Sequence, residues 1–246
     1  MRADSPSISA PPFPRNLAWA NVAMLRMDQQ RDKVVLVEFW DFCRVNSLRT
    51  LPYLKAWHER YADDGLVVVG VHTGGFLPAR EPENVRRAVE RLEIPWGVLI
   101  DSDLEVWDIY GNQGWPARYL WTPEQTLFSM HYGEGAYAET EREIQELLGV
   151  SGDVLAPLRP EDADDALIAA QTEDQPGAYS GPYEAGGVWL VVEGSGVVRF
   201  GEHELVVTEP GCFALIEHPR HTAGELSLEV GEGVIVHATC FTPGVV

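Results

Sequence analysis

Lys33-Val-Val-Leu-Val-Glu-Phe-Trp40 runs straight into Asp41-Phe-Cys-Arg-Val-Asn-Ser-Leu-Arg-Thr-Leu-Pro-Tyr53. The first stretch is short, β-branched and continuous rather than alternating, as a central strand covered on both faces should be. Beyond it, Leu48, Leu51, Leu54 and Trp57 fall at helical spacing. A helix is therefore expected over residues 47–63, kinked where Pro52 removes a backbone donor. Working outward, residues 65–71 and 97–100 read as two further buried strands. Residues 83–92 and 104–110 read as helices between them and after them. Residues 119–121 and 125–132 form a hairpin turned at Pro123-Glu124, and a helix over 139–148 stops at Gly149. The order β-α-β-α-β-α-β-β-α predicts a mixed, mainly parallel sheet flanked by helices, closed by an antiparallel hairpin.

After Gly149 the composition changes. Residues 151–186 are rich in Asp, Glu, Pro, Gly and Ala and read as a linker, with one short helix over 163–170. From residue 187 to 246 short β segments are split by Gly and Pro, the pattern of a small all-β sandwich able to borrow strands from the linker. At the other end Pro11, Pro12 and Pro14 mark residues 1–15 as a flexible tail ahead of a domain over 16–150.

The whole chain has 246 residues, 38 Asp and Glu against 18 Lys and Arg, and a formal net charge of −20. Such a chain repels phosphate backbones and anionic lipid, so neither nucleic acid nor a membrane surface is an expected partner. No apolar run reaches the roughly 18 residues of a membrane span, and the first residues lack the apolar core of a secretory signal. A cytoplasmic protein is expected. Cys43, Cys212 and Cys240 are odd in number and far apart, giving neither a disulfide framework nor a metal-binding spacing. Nothing in the inventory calls for a cofactor. Asp101, Asp103 and Glu134 carry little weight as acid or base groups in so acidic a chain.

Residues 39–53 resemble the thioredoxin-like redoxins of the TlpA, DipZ and AhpC/TSA type, whose signature runs F-W-T-Y-x-C-x-N-C-x-R-x-L-P. Leu17-Ala-Trp-Ala-Asn21, Lys33–Trp40, Gly111-Asn-Gln-Gly-Trp-Pro-Ala117 and His131-Tyr-Gly-Glu-Gly135 match further pieces in order, over about residues 12–150. The resemblance implies a thioredoxin-like fold, redox exchange with protein or peptide thiols, and a cis peptide bond at Trp115-Pro116 beside the site. More loosely, residues 196–200, 226–230 and 237–242 resemble the β-sandwich appended to DipZ-like proteins.

The departure from the signature decides the expected chemistry. Arg44 stands at the first cysteine position and Ser47 at the second, while Asn46, Leu48, Arg49, Leu51 and Pro52 match. A guanidinium and a hydroxyl cannot trade a disulfide. Two readings follow. Cys43, one position early, acts as a monothiol centre toward peroxide or thiols, with Arg44 stabilising the thiolate. Its bland counterpart is a buried apolar cysteine at a strand end. Alternatively Arg44, Asn46, Ser47, Trp115 and Pro116 line a non-catalytic groove for a peptide or small ligand, with Asn46 or Ser47 also capping the helix. A weaker reading places a metal among His203, His218, His221 and His237 with Cys212 and Cys240, although the H-x-H pair of a metal-binding barrel is absent and ordinary histidines are the simpler account.

Overall fold

The structure, a computed structural model, describes residues 8–246. The chain divides into two compact units: residues up to Phe42 with Asn46–Ala156, and Pro157–Val246 with the short turn Cys43–Val45.

The first unit carries β1 (Ala18–Ala20), β2 (Val34–Trp40), α1 (Val45–Tyr61), β3 (Leu66–His72), α2 (Pro82–Arg91), β4 (Gly97–Ile100), α3 (Glu105–Tyr110), β5 (Ala117–Trp121), β6 (Leu127–Tyr132) and α4 (Tyr137–Leu148). Its six strands lie in the order β1-β4-β3-β2-β5-β6. All seven residues of β2 are buried, as a continuous apolar strand demands. The side chains of Val35, Val37 and Phe39 join Val69, Val71, Leu99 and Trp121 in one core cluster.

The sheet is mixed, as expected, but antiparallel pairings outnumber parallel ones. β2 pairs parallel with β3 and β3 with β4, whereas β1–β4, β2–β5 and β5–β6 are antiparallel. The segment around Trp19 adds β1, and α3, at six residues and about 9 Å, does not carry the chain back along the sheet to start another parallel strand. Pro52 sits inside α1, where it leaves the Leu48 carbonyl without its helical donor.

The tail expected over residues 1–15 lies, for residues 1–7, outside the described residues. From Ile8 onward it is not a free tail. Ser9 bridges Thr126, the Ala10 N–H donates to the Gln125 carbonyl, and Phe13 is buried against Trp19. Burying a phenylalanine stabilises by roughly 1.5–3 kcal/mol, which outweighs the proline-rich composition here.

The second unit holds β7 (Ile168–Ala169), β8 (Gln175–Pro176), β9 (Gly181–Gly194), β10 (Gly196–Phe200), β11 (His203–Val207), β12 (Gly211–Leu226), β13 (Leu228–Val230), β14 (Val234–Thr242) and β15 (Gly244–Val245). They form sheets in the orders β12-β9-β14-β8, β11-β10-β13 and β15-β7. Strands β7, β8 and the start of β9 come from the stretch read as a linker. No helix forms over 163–170. A 3-10 turn occupies Pro160–Asp162, where Asp162 accepts from the Arg159 N–H, and Ile168–Ala169 pairs with β15 instead. Acidic side chains crowded into that run repel one another along a helix, and ladder hydrogen bonds win.

Two glycines test the packing. A Cβ on Gly186 would lie 2.1 Å from the Pro243 carbonyl oxygen, whereas one on Gly114 would meet nothing within 4 Å. Gly186→Ala is expected to cost about 1–3 kcal/mol and Gly114→Ala much less. Urea midpoints of the two variants check this, and equal midpoints would contradict the packing described.

Candidate functional site

The resemblance points to the C-terminal ends of β2 and β3, where Asp41-Phe-Cys-Arg44 turns into α1. Cys43 has no exposed surface, Arg44 is half-buried and Asn46 is exposed. Ser47 is buried and does not cap the helix as expected. Its Oγ accepts from the Asp41 N–H at 3.2 Å, closing the turn from strand to helix. The reason is position: α1 already begins at Val45, so Ser47 lies within the first turn and faces back toward β2.

Asp41 and His72 lie at the base of this edge. His72 is buried, stacked on Phe42 and set edge-on to Trp40. Burial holds its pKa down at about 3, and its Nε2 accepts from the Phe42 N–H at 3.3 Å. The imidazole is therefore neutral, and the 3.9 Å approach of Asp41 Oδ1 is not an ion pair. Asp41 Oδ2 instead accepts from the Gly75 N–H at 2.8 Å. These bonds hold the turn rigid and leave His72 no part in proton transfer near neutral pH.

Across the edge, the Trp115-Pro116 bond is cis, as the resemblance implies. Pro116 is buried and its carbonyl accepts from the Gly133 N–H. Trp115 is half-buried, and its Nε1–H donates to the carbonyl and Oγ1 of Thr73 at 2.9 and 2.8 Å. Its ring lies 4.4 Å from Trp107. Thr73 and Gly75 thus tie the loop after β3 to both Trp115 and Asp41. Next to this region Arg49 Nε donates to Glu134 Oε2 at 2.9 Å, fastening α1 to the segment after β6.

In the second unit the histidines do not converge. His218 Nε2 lies 3.0 Å from the Tyr183 hydroxyl, His221 faces Glu184, His237 faces Glu193, and His203 is exposed. Among the described residues no three His, Cys, Asp or Glu side chains cluster as a metal would need. Cys212 and Cys240 are buried free thiols. Burial, reinforced by Asp174, pushes Cys240 up to about 12, so it stays a thiol at neutral pH.

Sequence reasoning missed one group. Glu38 stands opposite Arg118 of β5, which stands opposite His131 of β6, in one row across the sheet. Arg118 is buried, spends its donors on Thr140 Oγ1 and the Gly135 carbonyl, and lies over the rings of Trp57 and Tyr137. Glu38 is 1 % exposed, and neither carboxyl oxygen has a hydrogen-bond partner. Burial, only partly offset by Arg118, raises its pKa to about 7. The signal was a lone acid inside an apolar strand.

Because the folded pKa of Glu38 exceeds the unfolded one, the native state holds this proton longer. Its contribution is present in full below pH 4.5 and is lost as pH rises through about 7. The effect is worth on the order of 3 kcal/mol. Glu38→Gln is expected to lose less stability than wild type between pH 5 and 8. Urea unfolding at both pH values checks this, and parallel profiles would refute it.

No family profile matches this sequence. It is 36 % identical over 118 residues to protein DipZ of Mycobacterium bovis, a match covering 48 % of this chain and 17 % of DipZ. It is 23 % identical over 131 residues to the thiol-disulfide oxidoreductase YkuV of Bacillus subtilis, covering 53 % of this chain and 88 % of YkuV. The chain thus spans under a fifth of DipZ. Among solved structures, a putative thiol:disulfide interchange protein DsbE from Chlorobium tepidum superimposes with a TM-score of 0.52 at 19 % identity, over 58 % of this chain and 96 % of that one. That likeness establishes the thioredoxin-like fold. With the sheet order around β2, the matching half of this chain has the thioredoxin-like fold, and its sequence is similar to DipZ and to thiol-disulfide oxidoreductases such as YkuV.

Proposed function

We propose that this chain is a thioredoxin-fold binding protein that engages an extended protein or peptide segment, including thiol-bearing ones, without dithiol exchange of its own. The observation that carries this reading is the fate of the thiol positions. Arg44 and Ser47 occupy them, the Ser47 hydroxyl is spent on the Asp41 N–H, and Cys43 has no exposed surface. A reactive cysteine needs access and a stabilised thiolate, and burial removes the first. The half-buried Trp115, with its indole fixed on Thr73, supplies a rigid aromatic contact in this reading.

The monothiol alternative through Cys43, aided by Arg44, requires that thiol to open to solvent. We read the all-β unit as a small sandwich, because Leu190, Val192, Val198 and Val207 from its two larger sheets share one buried cluster.

Two measurements decide between the readings. Iodoacetamide labelling of the native chain, mapped by peptide mass, is expected to modify Cys43 at least about a hundredfold more slowly than in urea, since labelling must await local opening. Fast labelling below the free-thiol pKa of about 8.5, with a sulfenic adduct after peroxide, would establish the monothiol instead. Binding of reduced, carboxamidomethylated lactalbumin, an extended chain whose cysteines are capped as neutral thioethers, is expected to weaken about fivefold or more in Trp115→Ala. Unchanged binding would move the contact elsewhere.

A further inference from the structure

The second unit contains a cavity of about 310 Å³, within the range of small-molecule sites. It opens beside the turn from β10 to β11. Tyr183, Phe200 and Leu226, all buried, supply its apolar lining, and Glu225 places a carboxylate on its wall. His218 also lines it but is engaged with the Tyr183 hydroxyl at 3.0 Å, and its ring stacks on Tyr183 at 23°. The Glu225 side chain makes no hydrogen bond or ion pair with any described residue, and no Lys or Arg lines the space.

Charge around the cavity points one way. Residues 157–246 hold fifteen Asp and Glu against three Arg and no Lys, a formal net charge of −12. Glu202 and Glu204 flank His203 at the turn itself. A concave apolar site in such a field concentrates cations and excludes anions. Aromatic rings beside a carboxylate suit a positive head on an apolar body, since the ring edges and faces accept hydrocarbon and the carboxylate pairs with the charge. A metal ion does not fit, because Glu225, His203 and His218 line the space without converging and no three-ligand cluster exists among the described residues.

We propose that this cavity binds a small organic ammonium ion, its apolar body against Phe200 and Leu226 and its charge against Glu225. The site is independent of the reading given for the first unit.

Amide NMR titration of the full chain with benzylammonium, benzyl alcohol and benzoate tests it. Benzylammonium is expected to saturate shifts confined to residues 200–203 and 225–227, with benzoate silent and benzyl alcohol at least about fivefold weaker, the size of one exposed charge pair. Glu225→Gln, an exposed and isosteric change, should reduce benzylammonium affinity by a similar factor while leaving the benzyl alcohol response unchanged. Ser227→Phe, which fills the mouth, should abolish both. Equal binding of the alcohol and the ammonium, indifference to Glu225→Gln, or shifts that never saturate would each overturn the proposal.

Discussion

Strand β2 is buried on both faces and hydrogen-bonded along both edges, to β3 on one side and β5 on the other. That double enclosure fixes the rest of the first unit. A one-residue slip would break the ladders on both edges at once and exchange the side chains facing each layer. The strand's C-terminal end, and the turn into α1 that follows, are therefore placed firmly. The short polar contacts at that end, Ser47 to Asp41, Asp41 to Gly75 and Phe42 to His72, lock a geometry the strand has already positioned.

Two buried carboxylates in this unit show how differently the same burial is handled. Glu141 of α4 is 1 % exposed and accepts from Trp57, Arg60, Tyr61 and the Leu155 N–H. It clasps α1 to α4 with both carboxyl oxygens hydrogen-bonded. Glu38 is equally buried but has no hydrogen bond, and its neighbour Arg118 directs its donors elsewhere. One acid serves as a structural clasp and the other holds a proton near neutrality. Burial alone does not distinguish them; the supply of donors does.

At the end of β2 the chain holds Arg44, Asn46 and Ser47, with the cis Trp115-Pro116 bond in the loop before β5. Ser47 is absorbed into the turn, and its hydroxyl serves the backbone of Asp41. In the second unit, long antiparallel pairing of β12 with β9 and of β9 with β14 provides the frame, and its acidic surface sets the sign of anything it attracts.

The sequence by itself determined the alternation of strands and helices up to Leu148, the central burial of residues 34–40 and the wide separation of its three cysteines. Those features are written in local apolar periodicity and in residue identity, which need no partner to be read. It also carried the cis bond through resemblance alone. The tertiary structure decided what depends on residues far apart in the chain. Phe13 joined the core and Ser9 bridged to Thr126 because Trp19 and Thr126 were there to receive them. Ile168 became a strand because β15 offered it a ladder, against a local pattern that favoured a helix. Ser47 looked like a cap until the Asp41 N–H claimed it. Glu38 looked like one more acid in an acidic chain until pairing set it against Arg118 with no donor to spare. In each case the sequence supplied the group, and only long-range pairing and burial fixed its partner and hence its energy.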